Sequence, residues 1–500
     1  MILALLFLKR LFQPLGGLPA LAASMSDEIN DLFRPVVAFL DKIIFWDIAK
    51  ALGFDLEAKV PFVVVWLCLG GLFFTIRLRF INIRGFGHAW RILSGAFAKR
   101  NEKGEVSHFQ ALTTALSATV GLGNIAGVAI AISIGGPGAT FWMIMAGFLG
   151  MSLKFAECTL GIKYRKIFPD GTVSGGPMYY LSKGLEQKNL KHLGKLLALL
   201  YGLLIVLASF GGGNMFQSNQ AIAQLNTVAP GISGFNILIG ILLAILVGLV
   251  IIGGIKSIAR VTSRIVPLMA VIYILAALVI IFANYNRIFE VFDLIIKRAF
   301  TNGAAAGGII GVLITGFQRG AFSNEAGIGS ASIAHSAAKT NIPVREGFVG
   351  LLEPFIDTVV ICTMTALIIV FTGVYEGAQG ISGAPLTSKA FASVFPWFPY
   401  VLVVAIFLFA FSTLLSWSYY GLKGFNFLFA GVIGRKTATL IYQFIFLFFI
   451  VLGSATELGD VIAFSDMMIL GLAFPNLIGL YIFVPDILAE IKNYNSKGAA

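Results

Sequence analysis

The sequence predicts an all-α polytopic membrane protein with eleven transmembrane helices, one peripheral helix followed by two five-helix repeats of opposite orientation. Three observations predict it. The chain of 500 residues is 58% hydrophobic and only 12% charged, more apolar surface than an aqueous core can hide. Apolar segments long enough to cross a bilayer's hydrocarbon, roughly 20 residues at about 1.5 Å each, recur along most of the length. Two of those segments are interrupted by glycines at matching places in the two sets of five.

In chain order, residues 1–60 read as an extracytoplasmic N-terminal segment. Its first 25 residues carry an apolar stretch and an Ala-rich end, the features of a signal peptide. The basic pair Lys9-Arg10 falls late for a signal, so an irregular amphipathic terminus is the favoured reading. Residues 61–108 hold the peripheral helix, about 62–83, and a basic loop. The first repeat, 109–284, has spans at about 109–133, 137–162, 194–225, 234–253 and 265–284. The second, 306–485, has spans at about 306–334, 347–373, 398–421, 437–455 and 459–484, and 486–500 form a tail.

The net charge of +12 would suggest nucleic acid in a soluble protein, but here the basic residues gather in alternate loops. Arg77, Arg79, Arg84 and Arg91 follow the first span, Lys163 and Arg165 the third, and Lys256, Arg260 and Arg264 lie in a later loop of the same side. That asymmetry is an orientation signal: it places the N-terminus outside and the C-terminus in the cytoplasm. The segment "NRIFEVFDLIIKRAF", 286–300, carries Arg287, Lys297 and Arg298 on the otherwise bare side, so 285–305 are assigned to an amphipathic helix on the outer face.

An odd number of spans per set makes the second set enter the membrane from the opposite side. Transporters built this way bind their ligands at helices broken in corresponding positions. The first core span contains "TVGLGNIAG" and the sixth contains "ITGFQRGAFSNEAGIGSAS", 314–332. Unwound backbone in hydrocarbon leaves polar groups unpaired at several kcal/mol each, so it persists only beside protein, water or ligand. Gly121 and Gly123 allow close approach. A half-helix beginning near Asn124 aims N–H groups at an anion, while carbonyls of the preceding half face a cation. A zwitterion and a sodium ion fit that geometry together; helix packing through small residues is the competing explanation of the glycines.

Charges inside spans mark function or structural pairing. Arg319 and Glu325, six residues apart, do not share a face of a regular helix and read as a structural or gating pair, with Ser323 and Asn324 beside them as site-lining groups. Lys154 and Glu157 have the spacing of a local pair. Glu353 and Asp357, one turn apart, form a secondary candidate for ion or proton work or a helix anchor. Cys68, Cys158 and Cys362 lack disulfide or metal-ligand spacing. The four histidines fall in loops or at cytoplasmic helix ends, so no buried base accompanies a serine, and no Walker P-loop is present; an enzyme is not indicated.

The segments "TALSATVGLGNIAGVA" (114–129), "GGPGATFWM" (135–143), "GGPMYYL" (175–181), "GGGNMFQSN" (211–219), "RGAFSNEAGIGSASIA" (319–334) and "FSTLLSWSYYG" (411–421) together resemble the alanine or glycine:cation symporters of bacteria and archaea. The resemblance runs from about residue 60 to 485 and implies the leucine-transporter-type fold and sodium-coupled amino acid import by alternating access. By resemblance to the related neurotransmitter:sodium symporters, the backbone of Gly121, Leu122 and Gly123 is expected to hold the substrate carboxylate, with Asn124 beside them at the substrate site. The resemblance adds Gly213, Asn214 and Gln217 of the third core span to the substrate site, and Trp417, Phe317, Ser323 and Asn324 as its walls. The implied sodium ligands are the Ser117 and Val120 carbonyls with the Ser412 and Thr413 hydroxyls, oxygen donors suited to a small hard cation.

The partners implied are thus a small neutral amino acid, sodium as coupling ion and membrane lipid. Neither a cofactor, nucleic acid nor an obligate protein partner is called for. A proton-coupled or glutamine-preferring transporter of the same fold is the alternative. A channel is disfavoured because paired interruptions suit alternating access.

Overall fold

The structure, a computed structural model, describes residue 35 and residues 38–97, 102–301, 308–377, 381–456 and 458–496. The signal-peptide reading and most of the 1–60 segment lie outside these residues. The fold is helical throughout except for a two-residue antiparallel hairpin, Lys166–Ile167 with Val173–Ser174, in the loop after the second core span.

Helix α1 (Phe62–Arg77) is apolar along its length and buries Val63, Leu67 and Phe74 against its neighbours. The chain then turns sharply through Arg79 and Phe80, both with positive φ, into the short helix Ile81–Arg84 and the amphipathic α2 (Phe86–Leu93). The first core span opens at α3 (His108–Thr119), whose N-terminus is closed by a reciprocal capping box between Ser107 and Gln110. At Val120 ψ swings to 84°, ending the regular helix. A π-helical turn, Gly123–Gly127, restarts it as α4 (Val128–Gly135), bent 49° from α3.

Helix α5 (Ala139–Lys163) is the second core span. The third is one 38-residue helical run: α6 (Lys191–Phe210), a π segment at Gly211–Met215 and α7 (Phe216–Val228). Its triple glycine widens the helix without breaking it. Next come α8 (Asn236–Ile251), α9 (Gly254–Ala283) and α10 (Ile288–Ala299). In α10, Val291, Ile295 and Ala299 recur every fourth residue and are buried, while Phe289 and Ile296 are exposed, the pattern of an amphipathic helix lying on a surface.

The sixth core segment runs as α11 (Gly308–Asn324), an irregular turn, and α12 (Ala331–His335). The seventh is α13 (Pro343–Gly350), a π segment at Phe355–Cys362 and α14 (Thr363–Thr372). Helices α15 (Phe398–Ile433), α16 (Arg435–Ala455), α17 (Leu458–Gly471), α18 (Ala473–Ile482) and α19 (Val484–Ser496) complete the chain.

Among the described residues, eight helices are long and apolar enough to span a membrane, or nine when the bent α3–α4 pair is one span. This is fewer than the eleven expected. The two that fall short are α1, with 16 residues, and the sixth segment, which stops at Asn324 after 17. The reason for the second is the unwinding itself, which divides a span into pieces each below membrane length. Leu238, Leu242 and Leu249 of α8 and Leu268, Leu275 and Phe282 of α9 point outward, an apolar face that only lipid can cover.

Candidate substrate and sodium site

The first break is held open by two side-chain amides. Asn124 Oδ1 accepts from the Gly121 N–H at 2.8 Å, and Gln217 Oε1, from the third core span, accepts from the Leu122 N–H at 3.3 Å. Each amide is oriented by what its nitrogen does. Gln217 Nε2 donates to the Gly212 carbonyl at 2.8 Å, and Asn124 Nδ2 donates to the Asp357 carboxylate at 2.6 Å and to its backbone carbonyl at 3.0 Å. The Gly121 and Leu122 N–H groups of the unwound turn are thereby satisfied inside the protein.

The second break is built differently. Glu325 has φ of +55°, a left-handed conformation costing roughly 1–2 kcal/mol for a residue with a Cβ. It persists because its carboxylate is fixed from two sides: Trp417 Nε1 donates at 3.1 Å and Ser330 Oγ at 2.5 Å. The two breaks meet at Asp357. Its carboxylate accepts from Asn124 of the first, from Ser323 of the second at 2.9 Å, and from Thr358 at 2.6 Å. A Cβ built on Gly123 would lie 3.4 Å from the Ser323 Cα, so the first break packs closely on the last turn of α11.

Of the expected sodium ligands, Ser117 Oγ donates to the Ser412 carbonyl, tying α3 to α15. Ser412 Oγ donates to its own helix at Phe409 O, 3.0 Å. Thr413 Oγ1 is fully buried, has no hydrogen-bond partner among the described residues, and is the nearest atom to a Cβ built on Gly121. A buried hydroxyl left unpaired costs about 1–3 kcal/mol, so an uncommitted oxygen beside the unwound turn is what a cation site would leave.

The sequence profile of the sodium:alanine symporter family matches residues 52–500. The chain belongs to the sodium:alanine symporter family. It is 42% identical over 441 residues to the sodium/alanine symporter AgcS of Methanococcus maripaludis, covering 87% of this chain and 94% of that one. It is 37% identical to the probable sodium/glutamine symporter GlnT of Bacillus subtilis, covering 87% and 88%. Among solved structures, MhsT in complex with L-phenylalanine aligns with a TM-score of 0.51 at 16% identity, covering 78% of this chain and 99% of that one, a likeness of fold alone. The symporter thus has the leucine-transporter-type fold and couples small neutral amino acid transport to sodium; it is a transporter and not an enzyme.

Other residues expected at the symporter's site are placed as follows. Gly213 packs flat against the Trp417 indole, which a Cβ there would overlap, and Trp417 lies between Gly213 and Glu325. Asn324 Nδ2 donates at 3.1 Å to Thr358, whose hydroxyl in turn donates to the Asp357 carboxylate. Asn214 Nδ2 donates to Phe446 O on α16 at 2.7 Å, while its Oδ1 is buried without a hydrogen-bond partner among the described residues. Phe317 packs on Trp142 of α5, with ring centroids 6.2 Å apart.

Three charge pairings and the place of one histidine differ from the sequence argument. Arg319 does not meet Glu325; it forms a buried ion pair with Asp466 of α17. Lys154 pairs with Glu353 at 3.0 Å, both fully buried, and not with Glu157, which accepts from the Gly329 N–H at 3.0 Å and Asn476 at 2.8 Å. Glu353 and Asp357 therefore serve different partners despite standing one turn apart. His335 is completely buried and bonded to Glu346 at 2.6 Å, so a buried histidine exists after all, at the end of α12, ten residues after Glu325. Asp357, the hub of the site, was legible in the sequence only as an intramembrane carboxylate.

Proposed function

We propose that this symporter imports alanine or glycine with sodium, the amino acid carboxylate engaging the backbone of Gly121 to Gly123 and sodium engaging Thr413 with the Val120 carbonyl. The observation that carries the reading is the unpartnered Thr413 hydroxyl set against Gly121. Gln217 and Trp417 wall the substrate, and Ser117 and Ser412 complete the sodium side. Rocking of the broken helices against the remaining spans then exposes both ligands to the cytoplasm. The Arg319–Asp466 pair, which joins the outer half of the sixth segment to α17, closes the extracellular side.

In the same reading the chain crosses the membrane eleven times, counting α1 and the interrupted sixth segment as spans. The loops bearing Arg79, Arg165, Lys256 and Lys339 face the cytoplasm, and the C-terminus with them. The helix α10 lies on the outer surface.

The testing experiment is uptake of labelled alanine into proteoliposomes under an inward sodium gradient, against matched potassium and proton gradients. Concentrative uptake with sodium alone is the expected result. Uptake under a proton gradient alone would transfer coupling from Thr413 to a carboxylate such as Glu325. Because a relative of 37% identity is named a probable sodium/glutamine symporter, glutamine is the competitor to include beside glycine.

A further inference from the structure

Where α1 ends, the chain makes a strained turn. Arg79 and Phe80 take φ of 56° and 54°, two consecutive non-glycine residues in the left-handed region. Such conformations cost of order 1–3 kcal/mol each and survive where surrounding structure holds them for a purpose. The turn gathers Arg77, Arg79 and Arg84 on one wall of a cavity of about 840 Å³, with Arg91 of α2 and Lys492 of α19 on the others.

No carboxylate lines that cavity, and none of the five cations is in an ion pair among the described residues. The acidic residues of α19 are engaged elsewhere: Asp486 binds Lys188 at 2.6 Å and Glu490 binds Lys163 at 3.0 Å. The local field is therefore strongly positive. His88, on the same wall, reports it: burial first, then Arg91 and Arg345, push its pKa below the usual imidazole range.

On the opposite side of the same short segment lies a second cavity of about 470 Å³, almost wholly apolar, lined by Ile83, Phe86, Phe148, Met151 and Phe355. Residues alternate between the two: Ile81 and Arg84 face the basic cavity, Asn82 and Ile83 the apolar one. Exposed Ile76, Phe80 and Trp90 surround the segment, marking the level where membrane meets water.

We propose that this pair of cavities binds one anionic phospholipid of the adjoining leaflet, its phosphate among Arg77, Arg79, Arg84, Arg91 and Lys492 and an acyl chain in the crevice behind Ile83. Guanidinium forks suit phosphate oxygens, and basic pockets at membrane-helix ends are the physical form that anionic headgroup recognition takes. The lipid would bridge α1, α2 and α19, elements that lie outside the two five-helix sets.

The test is native mass spectrometry of the delipidated full chain titrated with dioleoyl phosphatidylglycerol, dioleoyl phosphatidylcholine or inorganic phosphate. One phosphatidylglycerol is expected to remain bound where phosphatidylcholine and phosphate at equal concentration do not. Each cation near a membrane surface contributes about a fivefold factor, so R79Q/R84Q should weaken that binding about 25-fold. The pair R91Q/K492Q, on the other walls, should do the same and stands in if the first variant does not fold. Equal retention of phosphatidylcholine, equal binding of free phosphate, or undiminished phosphatidylglycerol binding in both variants would overturn the proposal.

Discussion

Thr413→Val separates a sodium ligand from a packing residue, because the two roles predict opposite signs in two buffers. The substitution keeps the shape of the side chain and removes only the hydroxyl, which is buried and unpartnered among the described residues. In sodium-free choline buffer, losing an unpaired buried hydroxyl removes a desolvation cost of about 1–3 kcal/mol, so the variant should be more stable than the parent. Sodium stabilises whatever state binds it, by about 2.7 kcal/mol at a hundredfold excess over the dissociation constant. The two terms are of similar size, so sodium should raise the parent to or above the variant while leaving the variant unmoved.

The assay is thermal unfolding of detergent-purified protein in choline and in sodium, followed by sodium activation of alanine uptake in proteoliposomes. A variant that is stabilised by sodium as much as the parent is, or that shows the parent's sodium activation curve, would refute the reasoning. Thr413 would then be an ordinary buried hydroxyl, and the cation would have to lie elsewhere along the first break.

Gly121→Ala places a methyl on Thr413 Oγ1 and 3.3 Å from Gln217 Oε1; overpacking of this kind costs about 1–3 kcal/mol, so sodium activation should weaken between about 5-fold and 150-fold, measured as the half-saturating sodium concentration. Asp466→Asn leaves the Arg319 charge buried without its partner, a loss of about 3–5 kcal/mol, and should lower the yield of folded protein, whereas the double apolar change R319M/D466L should recover it in the same size-exclusion assay. Lys154→Met should destabilise strongly by stranding Glu353, and adding Glu353→Gln should restore most of the loss in thermal unfolding, giving a coupling energy that two independent sites would lack.

The two breaks were legible because glycine and asparagine in an apolar run have few physical explanations, and the capping of Gly121 by Asn124 lies within a single turn. The pairings of the buried charges were not. Lys154 and Glu157 satisfied the helical i, i+3 rule, yet the partner of Lys154 is 199 residues away on the seventh segment. Arg319 likewise reaches 147 residues along the chain to Asp466. Sequence spacing reports only neighbours on one helix, and in a helical bundle the lowest-energy partner for a buried charge is usually across an interface. The same limit explains Asn214. The GNMFQSN motif placed it with Gln217 at the substrate site, whereas its Nδ2 donates to Phe446 O on α16. Eleven apolar segments read from hydropathy become eight or nine helices of full spanning length among the described residues, since α1 is only 16 residues long and hydropathy runs on through the sixth segment where the backbone unwinds.

The arrangement around Gly121 also bears on how two ligands come to depend on each other. The amide groups that would receive a substrate carboxylate are occupied by Asn124 Oδ1 and Gln217 Oε1, so a carboxylate gains only the difference between its own charge-assisted bonds and the neutral ones it displaces. In the proposed reading, the displaced Gln217 oxygen would then be free to accept from the amino acid's ammonium. A cation at Thr413 touches that turn from the other side, and orders it before the exchange begins. Whatever conformational freedom sodium removes from Val120 to Gly123 need not be removed again by the amino acid, so the first ligand strengthens the second without any contact between them. Linkage makes this reciprocal: the factor by which sodium tightens the amino acid is the factor by which the amino acid tightens sodium. In the proposed reading, a single unwound turn capped by two amides and flanked by one unpaired hydroxyl would therefore make the two ligands bind cooperatively.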